Sequence, residues 1–256
     1  MQNKKYWIWL SKLDINPEKI KKCLEKYSIE DIWDLKEQIS KIFTKEEINK
    51  IKNIKYRKNI ELHEQYMKKH NIELITIKDK EYPEKLKHID NPPICLYILG
   101  NNQILKQRSI AVIGSRECSD YGKTMSQAFS YLLAKNDIVV ISGLAKGVDS
   151  FAHTGTIQAK GKTIAVIGTG IDLVYPKENK KLMEQIVTNG GTIISEHPLG
   201  TKPNKENFPR RNRIIAGLSD GVLVIEAKEK SGALITVDYA LEQGKNVYAV
   251  PRKYYK

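Results

Sequence analysis

The sequence predicts an α/β fold, a doubly wound and mainly parallel sheet preceded by a small all-helical module. Three observations carry that reading. From residue 109 short β-branched runs alternate with stretches of helical length, and the loops that follow the runs hold most of the glycine, serine and arginine that stand out. Up to about residue 70, by contrast, glycine is absent and apolar residues recur at helical spacing.

In chain order, Pro17 followed by Ile20, Leu24 and Tyr27 reads as a short helix with proline in its first turn. Ser28 to Asp31 has the form of a helix start before Ile32, Trp33, Leu35 and Ile39. Thr44 to Glu47 is a full capping box, from which one long helix could run on to Met67. All three tryptophans, Trp7, Trp9 and Trp33, fall in this module and are expected in its core. The module spans 1–70, and 71–256 form the second domain, with its core at 109–251. Residues 72–99 connect the two through short strands at Glu73–Ile77 and Cys95–Leu99. Six buried strands follow: IAVI (110–113), IVVI (138–141), TIAVI (163–167), TIIS (192–195), GVLVIE (221–226) and NVYAV (246–250). Helices are expected between them at about 121–134, 148–160, 178–189, 207–218 and 232–243. One helix per crossover implies right-handed connections and a parallel sheet.

Composition narrows the function classes. Of 43 basic residues 36 are Lys and only seven are Arg, against 30 acidic ones, for a net charge of +13. With 33 Ile beside the Lys, base composition explains the surplus as well as a polyanion partner does. The arginines are more telling, because Arg210, Arg211 and Arg213 fall within four positions. No apolar run approaches about 18 residues, and the N-terminus lacks the pattern of a secretory signal, so a cytoplasmic protein without membrane contact is expected. Cys23, Cys95 and Cys118 are widely spaced, which suits neither a disulfide framework nor a metal site.

Ligands of such sheets bind beyond the carboxyl ends of the strands. There the first strand leads to Gly114-Ser115-Arg116, a tight turn, a hydroxyl and a fork suited to phosphate. The second leads to Ser142-Gly143-Leu144-Ala145-Lys146-Gly147, without the spacing of a nucleotide-hydrolysing P-loop. Gly168-Thr169-Gly170 lacks the third glycine of a dinucleotide fingerprint, so no nicotinamide cofactor is expected, and Tyr175-Pro176 reads as a structural turn. His153 and Glu196 read as structural. The stretch Thr201–Ser219 combines Lys205, Phe208, Arg210, Arg211, Asn212 and Arg213 at a helix start, where cations oppose the macrodipole unless an anion sits between them and the free amides. An aromatic among cations is what single strands favour. Ser231-Gly232 caps the last helix as the far wall of the crevice.

The runs IAVIGSR, SGLAKGVDSFAH, TIAVIGTGIDLVYPKEN, GGTIISEHPLG, FPRRNRIIAGLSDGVLVIEA and SGALITVDYALEQGKNVYAVP closely resemble the DNA-processing A (DprA, or Smf) family over residues 73–251. The resemblance implies an extended Rossmann-like fold and a non-catalytic protein that binds and protects single-stranded DNA and loads the RecA recombinase during natural transformation. It also implies a homodimer. The family's glycine-serine-arginine falls on Gly114, Ser115 and Arg116, and its phenylalanine-proline-x-arginine-asparagine-arginine on Phe208, Pro209, Arg211, Asn212 and Arg213. Three departures stand out: Lys146 where arginine is common, Arg252 where glycine is usual, and an end at Lys256 where many members go on to a winged-helix domain, so that domain is not expected in these 256 residues. The competing class is a nucleotide hydrolase of the LOG type using the same crevice, but its PGGxGTxxE motif is absent.

Overall fold

The protein is described here as a computed structural model covering residues 4–228 and 231–251. Arg252 and the Tyr254–Lys256 tail lie outside the described residues.

Residues 4–69 form seven short helices: α1 (Lys4–Ser11), α2 (Pro17–Lys26), α3 (Ile29–Trp33), α4 (Glu37–Ser40), α5 (Lys45–Lys52), α6 (Ile54–Arg57) and α7 (Ile60–Lys69). Their starts follow local chemistry. Asn16 accepts from the amides of Glu18 and Lys19 at the head of α2, with Pro17 in the first turn, and reciprocal capping boxes close α3 (Ser28 with Asp31) and α5 (Thr44 with Glu47). The single long helix expected from Thr44 to Met67 is instead α5, α6 and α7. Asn53 is extended and caps α6 through the amide of Lys55, and Asn59 is left-handed at φ 62°. Asparagine competes for backbone groups and tolerates that conformation, so it breaks a helix that its apolar spacing would continue. Trp7 and Trp9 are buried, Trp33 packs edge-on to Trp9 at 4.9 Å, and the Arg57 guanidinium lies 4.0 Å from the Trp33 ring centroid.

The remainder runs β1 (Ile72–Thr76), α8 (Glu84–Lys87), β2 (Cys95–Gly100), β3 (Ser109–Ile113), α9 (Asp120–Lys135), β4 (Val139–Ser142), α10 (Val148–Gln158), β5 (Thr163–Ile167), α11 (Lys180–Thr188), β6 (Thr192–Ser195), α12 (Asn207–Leu218), β7 (Gly221–Val224), α13 (Gly232–Glu242) and β8 (Asn246–Ala249). All strands join one sheet in the order β1-β2-β6-β5-β4-β3-β7-β8. The six strands β3 to β8 pair in parallel, while β2 runs antiparallel to β6 and β1 to β2. The doubly wound, mainly parallel sheet is therefore as expected, and the two connecting strands extend it. One expectation fails. The sixth run is not buried, because β8 closes the sheet as an edge strand and leaves Asn246, Tyr248 and Ala249 exposed.

The order also fixes where helices go. From β3 the chain steps outward through β4, β5 and β6, then returns across β3 to β7. Right-handed crossovers in opposite directions put α9, α10 and α11 on one face and α12 and α13 on the other. The second face packs Ile214, Ile215, Leu218, Ala233 and Ala240 onto Ala111, Ile113, Ile141, Val166 and Val222. On the first face the helices of residues 4–69 share a continuous core with Tyr97, Ala165, Ile167, Met183 and Ile193. Among the described residues no helix is long and apolar enough to cross a membrane.

Candidate nucleic-acid interface

Where strand order reverses, the loops after β3 and β7 part toward opposite faces and leave a gap. A crevice of about 510 Å³ opens there, walled by Gly114–Glu117 after β3, Ala145 and Asp149 after β4, one side of α12, and Lys228 with the start of α13.

The residues singled out in the sequence divide into three groups. The first group reaches the crevice. Gly114, Ser115, Arg116, Phe208, Arg211, Asn212, Ser231 and Gly232 all line it. Arg116 is exposed, and its guanidinium lies 5.6 Å from the centroid of Phe208. Phe208 in turn sits beside Tyr175, with ring centroids 5.4 Å apart and planes 31° from parallel. Ser115 is less available than its type suggests, since its hydroxyl donates to the Glu117 carbonyl at 2.9 Å. Ser231 caps α13 by accepting from the amide of Ala233, and Gly232 at the head of that helix is open to solvent. The start of α13, where the Gly232 amide has no hydrogen bond among the described residues, thus lines the same crevice as Arg116.

Arg211 is the floor rather than a wall. It is 4% exposed and donates to the carbonyls of Gly143 (2.7 Å) and Val166, and to Asn212 Oδ1 at 3.1 Å. Burial pulls its guanidinium down to about 10, against the attraction of Asp149, so it stays charged at neutral pH. Burial also pushes the Asp149 carboxyl up, with Arg211 opposing. Asp149 accepts from the amides of Gly143 and Ala145 at 3.1 and 3.3 Å. Gly143 lies between the two charges. A side-chain carbon there would come within 2.6 Å of both Arg211 and Asp149, so only glycine lets the pair close on the loop.

The second group points elsewhere. At about 100° per residue, positions 210 and 213 fall on the side of α12 opposite 208, 211 and 212. Arg213 is 3% exposed and holds Glu196 with two hydrogen bonds of 2.8 and 2.6 Å, plus the Asn91 carbonyl at 2.9 Å. Burial raises the Glu196 carboxyl, but Arg213 outweighs it and holds the group below its ordinary range. Arg210 reaches Asp14 of the helical region at 2.7 Å. Ser142 donates to the Val112 carbonyl inside the sheet, and exposed Lys146 pairs with Glu178 at 2.7 Å. Lys205 makes up the third group. It is exposed on the turn leading into α12, outside the crevice lining.

His153 is fully buried and hydrogen-bonded to Thr163 Oγ1 at 2.7 Å, in line with its structural reading. Tyr175 and Lys228 were not singled out by sequence reasoning as site residues. Tyr175 is 45% exposed beside Phe208, and an aromatic in a glycine loop after a parallel strand is the signal that could have found it. Lys228 offered only one more lysine.

Residues 73–256 match the model of the DNA recombination-mediator protein A family. The chain belongs to that family. It is 48% identical over 177 residues to the DNA processing protein DprA of Streptococcus pneumoniae, covering 69% of this chain and 62% of that one. It is 43% identical over 194 residues to Protein Smf of Synechocystis, covering 73% and 48%. The chain thus spans about half to three fifths of the length of these curated relatives. Among solved structures, DprA from S. pneumoniae superposes with a TM-score of 0.74 at 36% identity over 97% of this chain and 87% of that one. DNA processing protein A from Helicobacter pylori, whose structure is described for its single-stranded DNA binding mode, superposes with a TM-score of 0.65 at 31% identity over 71% and 82%. Family and fold class are therefore those that the motifs implied.

Proposed function

We propose that this chain binds single-stranded DNA at the β3/β7 crevice and acts as a recombination mediator without catalysing a reaction. The observation that carries the reading is Arg116, which has no ion pair among the described residues, held over the Phe208 ring in the crevice that the start of α13 also lines. A phosphate there meets the Arg116 guanidinium and the Gly232 amide at the positive end of α13. The paired rings of Phe208 and Tyr175 offer a face for a base, Lys228 adds a cation to the crevice wall, and Lys205 extends the positive track beyond it. The family match and the H. pylori neighbour support the same reading. Protection of the strand, loading of RecA and a cytoplasmic homodimer complete the proposal on the strength of the family.

The crevice chemistry favours binding over hydrolysis. Asp149 is committed to two amides and His153 is sealed under the sheet, so neither is free to activate water in the crevice. The test is a salt series on labelled single-stranded DNA. Replacing Arg116 with Ala lowers the slope of log affinity against log salt by about 0.7, the value of one single-strand phosphate contact. An unchanged slope overturns the reading, as does release of free base from nucleoside monophosphates.

A further inference from the structure

A second cleft, of about 690 Å³, opens at the opposite end of the sheet, beside the amino ends of β3, β4 and β5. Its charged lining residues are Arg108, Lys135, Lys160 and Lys162 against Asp137 alone, and all five are exposed. Two of these cations have local tasks. Lys162 donates to the Asn189 carbonyl at the end of α11, and Lys135 closes the last turn of α9, where a cation offsets the helix dipole.

Arg108 and Lys160 do not reduce to such tasks. Lys160 follows the C-cap of α10 with φ 58°, a position where glycine costs less than any side chain, yet glycine stands one residue later at Gly161. Arg108 makes no side-chain hydrogen bond or ion pair among the described residues. Of the other described arginines, Arg57 lies over Trp33, Arg210 and Arg213 hold carboxylates, Arg211 holds carbonyls beneath the crevice, and Arg116, likewise without an ion pair among the described residues, lies over Phe208. A sequence that takes lysine almost everywhere has put a free guanidinium among three lysines.

We infer that this cleft is a second binding site for the phosphate chain of a nucleic acid, so that one protomer holds two stretches of strand at opposite ends of one sheet. The inference rests on the single-strand reading of the crevice for its partner, but not for its residues. Arg108 and Arg116 flank β3, whose five residues span about 17 Å. A short oligonucleotide in the crevice therefore leaves the cleft empty, whereas a long strand or a second strand reaches it.

The test compares a labelled oligonucleotide of about 4 nucleotides with one of about 32, the small end and twice the large end of single-strand site sizes. The variant combines Arg108→Ala with Lys160→Gly, the latter suited to the left-handed backbone. Its salt slope for the long strand falls by about 1.4, two single-strand contacts, while binding of the short strand is unchanged. Arg108→Lys, with Lys160 kept, retains the wild-type slope and its melting temperature. An unchanged long-strand slope in the double variant overturns the proposal and leaves the four cations as helix-end partners. An equal loss for both strand lengths overturns it too, since the cleft would then act only through the crevice. Arg116→Ala run in parallel reads the crevice alone: if it leaves the short strand bound as before, the crevice assignment has failed independently of the cleft.

Discussion

The two sides of α12 take the same residue type into different surroundings. Toward the crevice, Arg211 is tied to backbone carbonyls at the ends of β4 and β5 and keeps its charge beneath an open gap. Away from it, Arg213 closes on Glu196 and Arg210 on Asp14. Carbonyls position the Arg211 guanidinium, with Asp149 nearby but not in direct ion-pair contact, whereas Arg213 and Arg210 hold their carboxylates directly. Three arginines within four positions are thus one floor to the crevice and two anchors for the helix that lines it, and the partner rather than the residue decides which.

The largest effect that tests this contrast is Arg213→Ala. It leaves Glu196, whose side chain is 6% exposed, without its bidentate partner, and breaking such a pair costs about 3–5 kcal/mol. Urea denaturation reads it, and a loss below about 1 kcal/mol would place Arg213 among ordinary surface pairs. Next comes acid sensitivity beneath the crevice. Burial holds His153 down at about 3, whereas the unfolded chain takes up that proton near 6.5. The unfolded state therefore binds more protons between those values, and stability falls as pH drops through the window, at up to about 1.4 kcal/mol per pH unit. His153→Gln flattens this part of a stability–pH curve; an unchanged curve rejects the assignment.

Phe208→Ala separates stacking from packing. Single-strand affinity falls by about 1–3 kcal/mol for the lost base contact while duplex affinity holds. Equal losses for both would make the ring a support over Gly168, which it approaches closely. The smallest effect is at the far anchor. Asp14 is 76% exposed, so Asp14→Asn changes stability by about 0–1 kcal/mol and leaves the salt slope of DNA binding as it was. A change in that slope would blur the division between the two sides of the helix.

Much of this was legible in the sequence, and the boundary has physical causes. β-Branched runs report burial directly, so the parallel strands were readable, and capping residues such as Thr44, Glu47 and Ser231 marked helix starts because their chemistry is local. Asn53 and Asn59 were not legible as breaks, since either residue is tolerated within a helical pattern until tertiary packing rewards the break. The exposure of β8 depends on its place at the sheet's edge, which no period encodes. In the site, the glycine loops and Arg116 announced themselves. The fate of Arg213 did not, because it turns on Glu196, a residue from another loop brought beneath the far side of the helix by the crossover.

Among the described residues the crevice draws its walls from Gly114–Glu117, Ala145 and Asp149, the 208, 211 and 212 side of α12, Lys228, and the start of α13 as far as Thr236. At about 5–20 residues per second of synthesis, the last wall follows the first by roughly 6–24 s. A nascent chain therefore displays Arg116 well before it can offer the helix start that lines the same crevice. A ligand needing both walls meets a crevice closed by α13 or none, which makes that helix the closing step in assembling the crevice.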